Sequence, residues 1–134
     1  FCIPFTSNSR TKNKNFESMR ENITFRKICD ENGNILAALN LNNMIPVREE
    51  YITEIDLKPH PTDPPKLQRW KKLCVKELAW CQSHQNEIER LANELYRIYI
   101  SDKSFQKRKI CLNFPLLEKE CNKAKNIKAL EYYL

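Results

Sequence analysis

The sequence predicts an all-α fold, and three observations carry that expectation. A single glycine, Gly33, stands among 134 residues; hairpins and bulges draw on positive-φ residues, so a chain of many strands would lack its usual turns. Apolar residues recur at three- and four-residue spacing from 66 to 101, a stretch holding neither glycine nor proline. The remaining connections are rich in Asn, Asp, Ser and Pro, which join helices without special backbone angles. The expectation is a single domain, 1–134, of five to six helices around one long central helix at about 64–101.

Residues 1–14 show no periodicity and read as an extended arm. Short helices are expected over 15–57. The first carries Phe16, Met19, Ile23 and Ile28 as a ragged stripe and stops at Asn32-Gly33, where a helix end takes a positive-φ residue. Asn34 can cap a second through "ILAALNLNNM", and Pro46 suits the first turn of a third with Val47, Tyr51 and Ile55 on one side. The linker 58–65, "KPHPTDPP", has four prolines and stops any helix. Asp63 is positioned to cap the long helix, whose apolar line runs through Leu67, Trp70, Cys74, Leu78, Cys81, Ile88, Leu91, Leu95 and Ile98. A break is expected at "QSHQN", its most polar stretch. A helix over about 102–112 and a last one from Pro115 complete the segment 66–134.

Cys2, Cys29, Cys74, Cys81, Cys111 and Cys121 form an even set in a small chain, which predicts three disulfides in an oxidising compartment. Cys74 and Cys81 lie two helical turns apart, roughly 10 Å, beyond the ~7 Å a disulfide allows between α-carbons. They therefore reach to different partners, and the remaining pairings stay open. The same separation excludes a shared tetrahedral zinc. Cys81 and His84 supply only two ligands together, so no metal site and no cofactor is expected. Asn22-Ile23-Thr24 is an acceptor sequon, making Asn22 a glycosylation candidate.

The net charge of +6 is uneven: residues 1–65 carry 8 Lys+Arg against 9 Asp+Glu, and residues 66–134 carry 15 against 8. Arg69, Trp70, Lys71 and Lys72 on one side, with Lys107, Arg108 and Lys109 on the other, form the expected binding surface. Lys123, Lys125 and Lys128 add a third basic run. Such a surface attracts an anionic macromolecule or an acidic protein face. No zinc-finger or RNP-like pattern points to a specific nucleic acid. Enzyme chemistry finds no foothold either: His60 and His84 sit in different environments, and no nucleophile elbow, zincin motif or phosphate-cradling glycine loop occurs.

Short, basic, helical and rich in cysteine, the chain resembles small salivary proteins of blood-feeding insects. It also resembles the insect odorant-binding family in its six cysteines, although the spacing between Cys29 and Cys74 is not that family's. These resemblances imply a secreted, extracellular protein with its leader removed. It would bind an extracellular protein or anionic polysaccharide through a rigid disulfide-fixed surface, without catalysis. Two alternatives stay open: a carrier of a small apolar ligand lined by Trp70, Trp80, Tyr96 and Tyr99, and a signal similar to helical cytokines.

Overall fold

The computed structural model describes residues 1–7 and 16–123. In chain order these form β1 (Phe5–Ser7), β2 (Phe25–Cys29), β3 (Ile35–Asn40), α1 (Pro65–Ser83), α2 (Gln85–Ser101) and α3 (Phe114–Lys123). Short 3-10 turns stand at Leu41–Asn43, Glu49–Tyr51 and Gln106–Ile110. The three strands make one antiparallel sheet in the order β1-β3-β2. The fold is therefore mixed α and β, and the all-α expectation is wrong. Among the described residues there are three α-helices rather than five or six, and the region 15–57 holds strands and turns instead of short helices. The arm beyond Ser7, and the last helix beyond Lys123 with Lys125 and Lys128, lie outside the described residues.

The sheet needs little glycine because it contains one tight turn. Gly33, at φ 78°, is the only described residue with positive φ. It closes the β2–β3 connection together with Asp30, whose carboxylate accepts from the Asn32 and Asn34 backbone N–H groups at 2.9 and 2.8 Å. Strand β3 runs between both neighbours, and its Ala37, Ala38 and Leu39 are almost fully buried. A strand covered on both faces shows no alternation of polar and apolar residues.

Register assigns the two faces. Ala37 and Leu39 oppose Ile28 and Arg26 on β2 and, across β1, Ser7 and Phe5. Ile28, Ala37 and Leu39 pack with Trp80, Cys81 and Ile88, so this face carries the helices. The opposite face carries Thr6, Ala38, Asn40, Lys27 and Phe25, with Phe16 packed against Phe25 and Ala38. A second core gathers Leu41 and Met44, Leu91, Leu95 and Tyr99 of α2, and Phe114 of α3. Leu91, Leu95 and Tyr99 recur every fourth residue, one stripe of the helix.

The helical segment breaks at His84, whose φ −114° and ψ 16° leave the helical region. Hydrogen bonding continues through it, from His84 N–H to the Trp80 carbonyl and from Ile88 N–H to the His84 carbonyl. Pro64, not Asp63, precedes the first turn of α1, and it offers no side-chain cap. Asp63 instead accepts from the His60 N–H at 2.8 Å and pairs with Lys71 at 2.9 Å; the Lys71 ammonium holds its carboxyl below the ordinary range.

All six cysteines are free thiols, which corrects the expectation of three disulfides. Each belongs to a separate local environment. Cys2 bridges to Ile45 through its backbone, Cys29 ends β2, and the Cys111 thiol donates to the Lys107 carbonyl at 3.3 Å. Burial beside the Glu77 carboxyl pushes Cys81 up to about 11. Burial raises Cys29, Cys74 and Cys111 as well. Alkylation of unreduced, denatured protein is expected to add six carbamidomethyl groups by mass spectrometry. In native protein at pH 8, exposed Cys2 should react first and Cys81 far more slowly, because only the thiolate attacks. Reductant should leave the thermal midpoint unchanged.

Candidate functional site

On the sheet face turned away from the helices, Thr6 of β1, Ala38 of β3 and Lys27 of β2 form one cross-strand row. Neighbouring strands stand just under 5 Å apart, so Thr6 and Lys27 backbones are separated by about 10 Å. Asn40, two residues along β3 on the same face, donates from its amide to the Thr6 hydroxyl. The Asn40 backbone N–H is itself held by the Pro4 carbonyl at 3.2 Å. The Lys27 ammonium rests on the Glu17 carbonyl at 3.2 Å. Phe16 and Phe25, with ring centres 5.7 Å apart, fill the apolar part of this face.

The chemistry of this arrangement follows from its hydrogen bonding. A threonine oxygen that accepts from Asn40 keeps its own proton available for donation. Thr6 O–H and the second amide proton of Asn40 are adjacent donors suited to an anionic oxygen, while Lys27 lies across the buried Phe16–Ala38 contact with its ammonium on the Glu17 carbonyl. Among the described residues no group of three or more His, Cys, Asp or Glu converges as metal ligands.

A basic groove is tied to the end of β3. Asn42, two residues after Asn40, donates its side-chain amide to the Ile110 carbonyl at 2.9 Å, and its own carbonyl accepts from Leu112 N–H at 2.9 Å. The 3-10 turn Gln106–Ile110 is thereby pinned to the end of β3. Arg108 lies 4.1 Å over the Tyr99 ring and donates to the Tyr99 carbonyl. Lys103, Lys107 and Lys109 surround it on an open groove of about 840 Å³, floored by Tyr99 and Phe105. Among the described residues none of these three lysines has an ion-pair partner. A cation–aromatic platform ringed by unpaired ammonium groups is suited to phosphate and stacked bases together.

The other predicted cluster sits elsewhere. Arg69, Trp70 and Lys72 are exposed in the first turns of α1, while Lys107, Arg108 and Lys109 follow the far end of α2. Lys71 is occupied, bonding Asp63 and the Lys58 carbonyl. Asn22 uses its carboxamide within its own loop, accepting from Thr24 and donating to the Arg20 carbonyl. The four aromatics expected to line a ligand cavity are dispersed. Tyr99 is core, Tyr96 stacks on Phe114 and donates to Glu118, Trp80 packs on the sheet, and Trp70 is exposed. Thr6 and Asn40 escape sequence reasoning altogether, because 34 residues separate them and only the β1–β3 register brings them together.

Residues 1–122 match the profile of the family described as Toxin ToxN, type III toxin-antitoxin system. Endoribonuclease ToxN of Bacillus thuringiensis subsp. kurstaki is 26% identical over 130 residues, covering 93% of this chain and 62% of that relative. The chain thus spans less than two thirds of that protein's length. Among solved structures, AbiQ, a lactococcal anti-phage endoribonuclease of the type III toxin–antitoxin system, is similar with a TM-score of 0.69. It is 25% identical, with 90% of this chain and 69% of AbiQ covered. A bacterial type III toxin, solved in a study of its inhibition by a non-coding RNA pseudoknot, shares the fold at a TM-score of 0.69. Identity there is 22%, over 93% of this chain and 71% of that one.

These findings overturn the likeness to insect salivary proteins and the readings built on it. A secreted, extracellular, non-enzymatic binder of protein or polysaccharide is not what such relatives are. The expectation of no specific nucleic-acid partner falls with it. With the profile matched from residue 1 through residue 122, over a sheet-and-helix fold shared with two solved toxins, this chain belongs to the ToxN family of type III toxin–antitoxin toxins.

Proposed function

We infer that this protein is an endoribonuclease, cutting single-stranded RNA at the Thr6–Asn40 edge of the sheet. The observation that carries the reading is the tie between two features. Thr6 and Asn40 are oriented donors at the end of β3, and Asn42 just beyond holds the turn that carries a groove of lysines with no ion pair among the described residues. RNA brings its own nucleophile, the 2′-hydroxyl, so the protein's task is to position the phosphodiester and stabilise the charge that develops on it. The 2′-hydroxyl gives its proton to water as its oxygen attacks phosphorus and forms a 2′,3′-cyclic phosphate, and the bond to the 5′-oxygen breaks as that oxygen takes a proton from water. Thr6 O–H and Asn40 N–H would donate to the non-bridging oxygens during this step.

Lys103, Lys107 and Lys109 would hold the flanking backbone, with Arg108 over Tyr99 offering a surface for a stacked base. The same groove would receive an inhibitory RNA of the kind that its structural relative binds. Purified protein incubated with a labelled single-stranded RNA and its all-deoxy counterpart is expected to cut only the RNA. Intact RNA at high enzyme concentration would refute the reading. Converting Lys103, Lys107 and Lys109 to glutamate should weaken RNA binding at least tenfold at 0.1 M salt. The slope of log K against log salt should flatten by about 2, the share of three single-strand phosphate contacts.

A further inference from the structure

A second cavity, of about 460 Å³, lies where the β2–β3 turn meets the last turns of α1. Its size is within the range of small-ligand sites. Asp30 and Glu31 line it from the turn, and Lys76, Trp80, Ser83 and His84 from the helix. Trp80 and His84 stack with ring centres 4.0 Å apart and planes 13° from parallel. Trp80 is anchored to the sheet core through Ile28, Ala37 and Leu39, so the stack is held in place from below.

The polar groups here have distinct states. His84 Nδ1 stands 2.9 Å from the Trp80 carbonyl, which can only accept, and 2.9 Å from the Ser83 hydroxyl, so Nδ1 carries a proton toward that carbonyl. Asp30 is committed to the turn, accepting from Asn32 and Asn34. Glu31 is exposed, and among the described residues it has neither a hydrogen bond nor an ion pair. Lys76 is likewise free of any ion pair among them. The cavity thus offers an aromatic stack, one uncommitted carboxylate and one ammonium.

We propose that this cavity takes an unpaired guanine base of an RNA strand, stacked against the Trp80–His84 pair and read by Glu31. The inference rests on the reading of the protein as an RNA-cutting toxin and names a base that its RNA would carry. Guanine alone among the four bases presents two adjacent donors, N1–H and N2–H, on its Watson–Crick edge, and a carboxylate accepts both. Adenine and cytosine each set one amino donor beside a ring-nitrogen acceptor that the carboxylate repels; uracil flanks its one N–H with two carbonyls. Unpaired bases in RNA are commonly recognised by such stacking and edge contacts. Lys76 meets the phosphate of the same nucleotide, which balances the negative turn.

The test measures binding without cleavage. Calorimetric titration of the full chain with 2′-O-methyl UUGUU, 2′-O-methyl UUAUU, GMP and AMP supplies the comparison. The G-containing oligomer is expected to bind at least tenfold more tightly than the A-containing one, the discrimination a bidentate base contact provides. Glu31→Gln should abolish that preference, and Lys76→Ala should weaken the G oligomer severalfold while preserving it. Equal binding of the two oligomers, or a preference that survives Glu31→Gln, overturns the proposal. GMP binding as tightly as the oligomer overturns it too, since the site would then serve a free nucleotide. A guanine preference in a protein that leaves RNA uncut would uphold this site while removing the endoribonuclease reading; RNA cleavage without the preference would do the reverse.

Discussion

Thr6→Val is expected to lower RNA cleavage about 100- to 1,000-fold while RNA binding stays within a few-fold of the parent chain. Valine keeps the shape and strand preference of threonine and removes only the hydroxyl. The loss expected from deleting one donor aimed at a developing oxyanion is of that size. Thr6→Ser, which restores a hydroxyl, should recover most of the rate. The measurement is single-turnover cleavage at saturating enzyme, with binding read separately on an uncleavable 2′-O-methyl strand. If the valine chain cuts at the parental rate, the catalytic centre is elsewhere. Asn40→Ala should act in the same direction and less strongly, because it leaves the hydroxyl present but unoriented.

Phe114→Ala is expected to produce the largest loss of stability, about 3–5 kcal/mol. Phe114 is completely buried. Its ring centre lies 4.8 Å from Tyr99, 6.0 Å from Tyr96 and 6.2 Å from Phe1. It therefore ties α3 and the first residues of the chain to α2. A domain of ordinary stability has 5–15 kcal/mol in total, so this one substitution would remove much of the margin. Urea unfolding should show a lower midpoint with unchanged slope, and the melting temperature should fall by about 10 °C or more.

Helices α1 and α2 were legible in the sequence because apolar residues keep their period along them, whereas the helix expected over about 102–112 is only the 3-10 turn Gln106–Ile110. Even the break at His84 falls in the polar stretch where the pattern weakens. The sheet was hidden for identifiable reasons. "ILAALN" on β3 is buried on both faces, so it lacks alternation, and its alanines and leucines are strong helix formers. Asn32-Gly33 reads equally as a helix stop and as a hairpin turn; in this chain it is the hairpin. The count of one glycine misled, because a three-stranded sheet with one tight connection needs only one.

The candidate site divided along the same line. Lys107, Arg108 and Lys109 announce themselves as charge, and the structure adds the Tyr99 floor and the tie to Asn42. Thr6 stands in a segment with no periodicity at all, and its significance arises from strand register. The cysteines show the converse error. An even count permits pairing without requiring it, and thiols spread over a strand end, a helix face and a loop remain unjoined.

The central strand has one further implication, concerning which heritable changes this molecule tolerates. Ala38 and Asn40 look one way and Ala37 and Leu39 the other, so gaining or losing a single codon within Ile35–Asn40 would exchange the two sides at a stroke. Leucine would be turned toward threonine and the amide driven among the helices. Related toxins should therefore keep this hexad's length fixed.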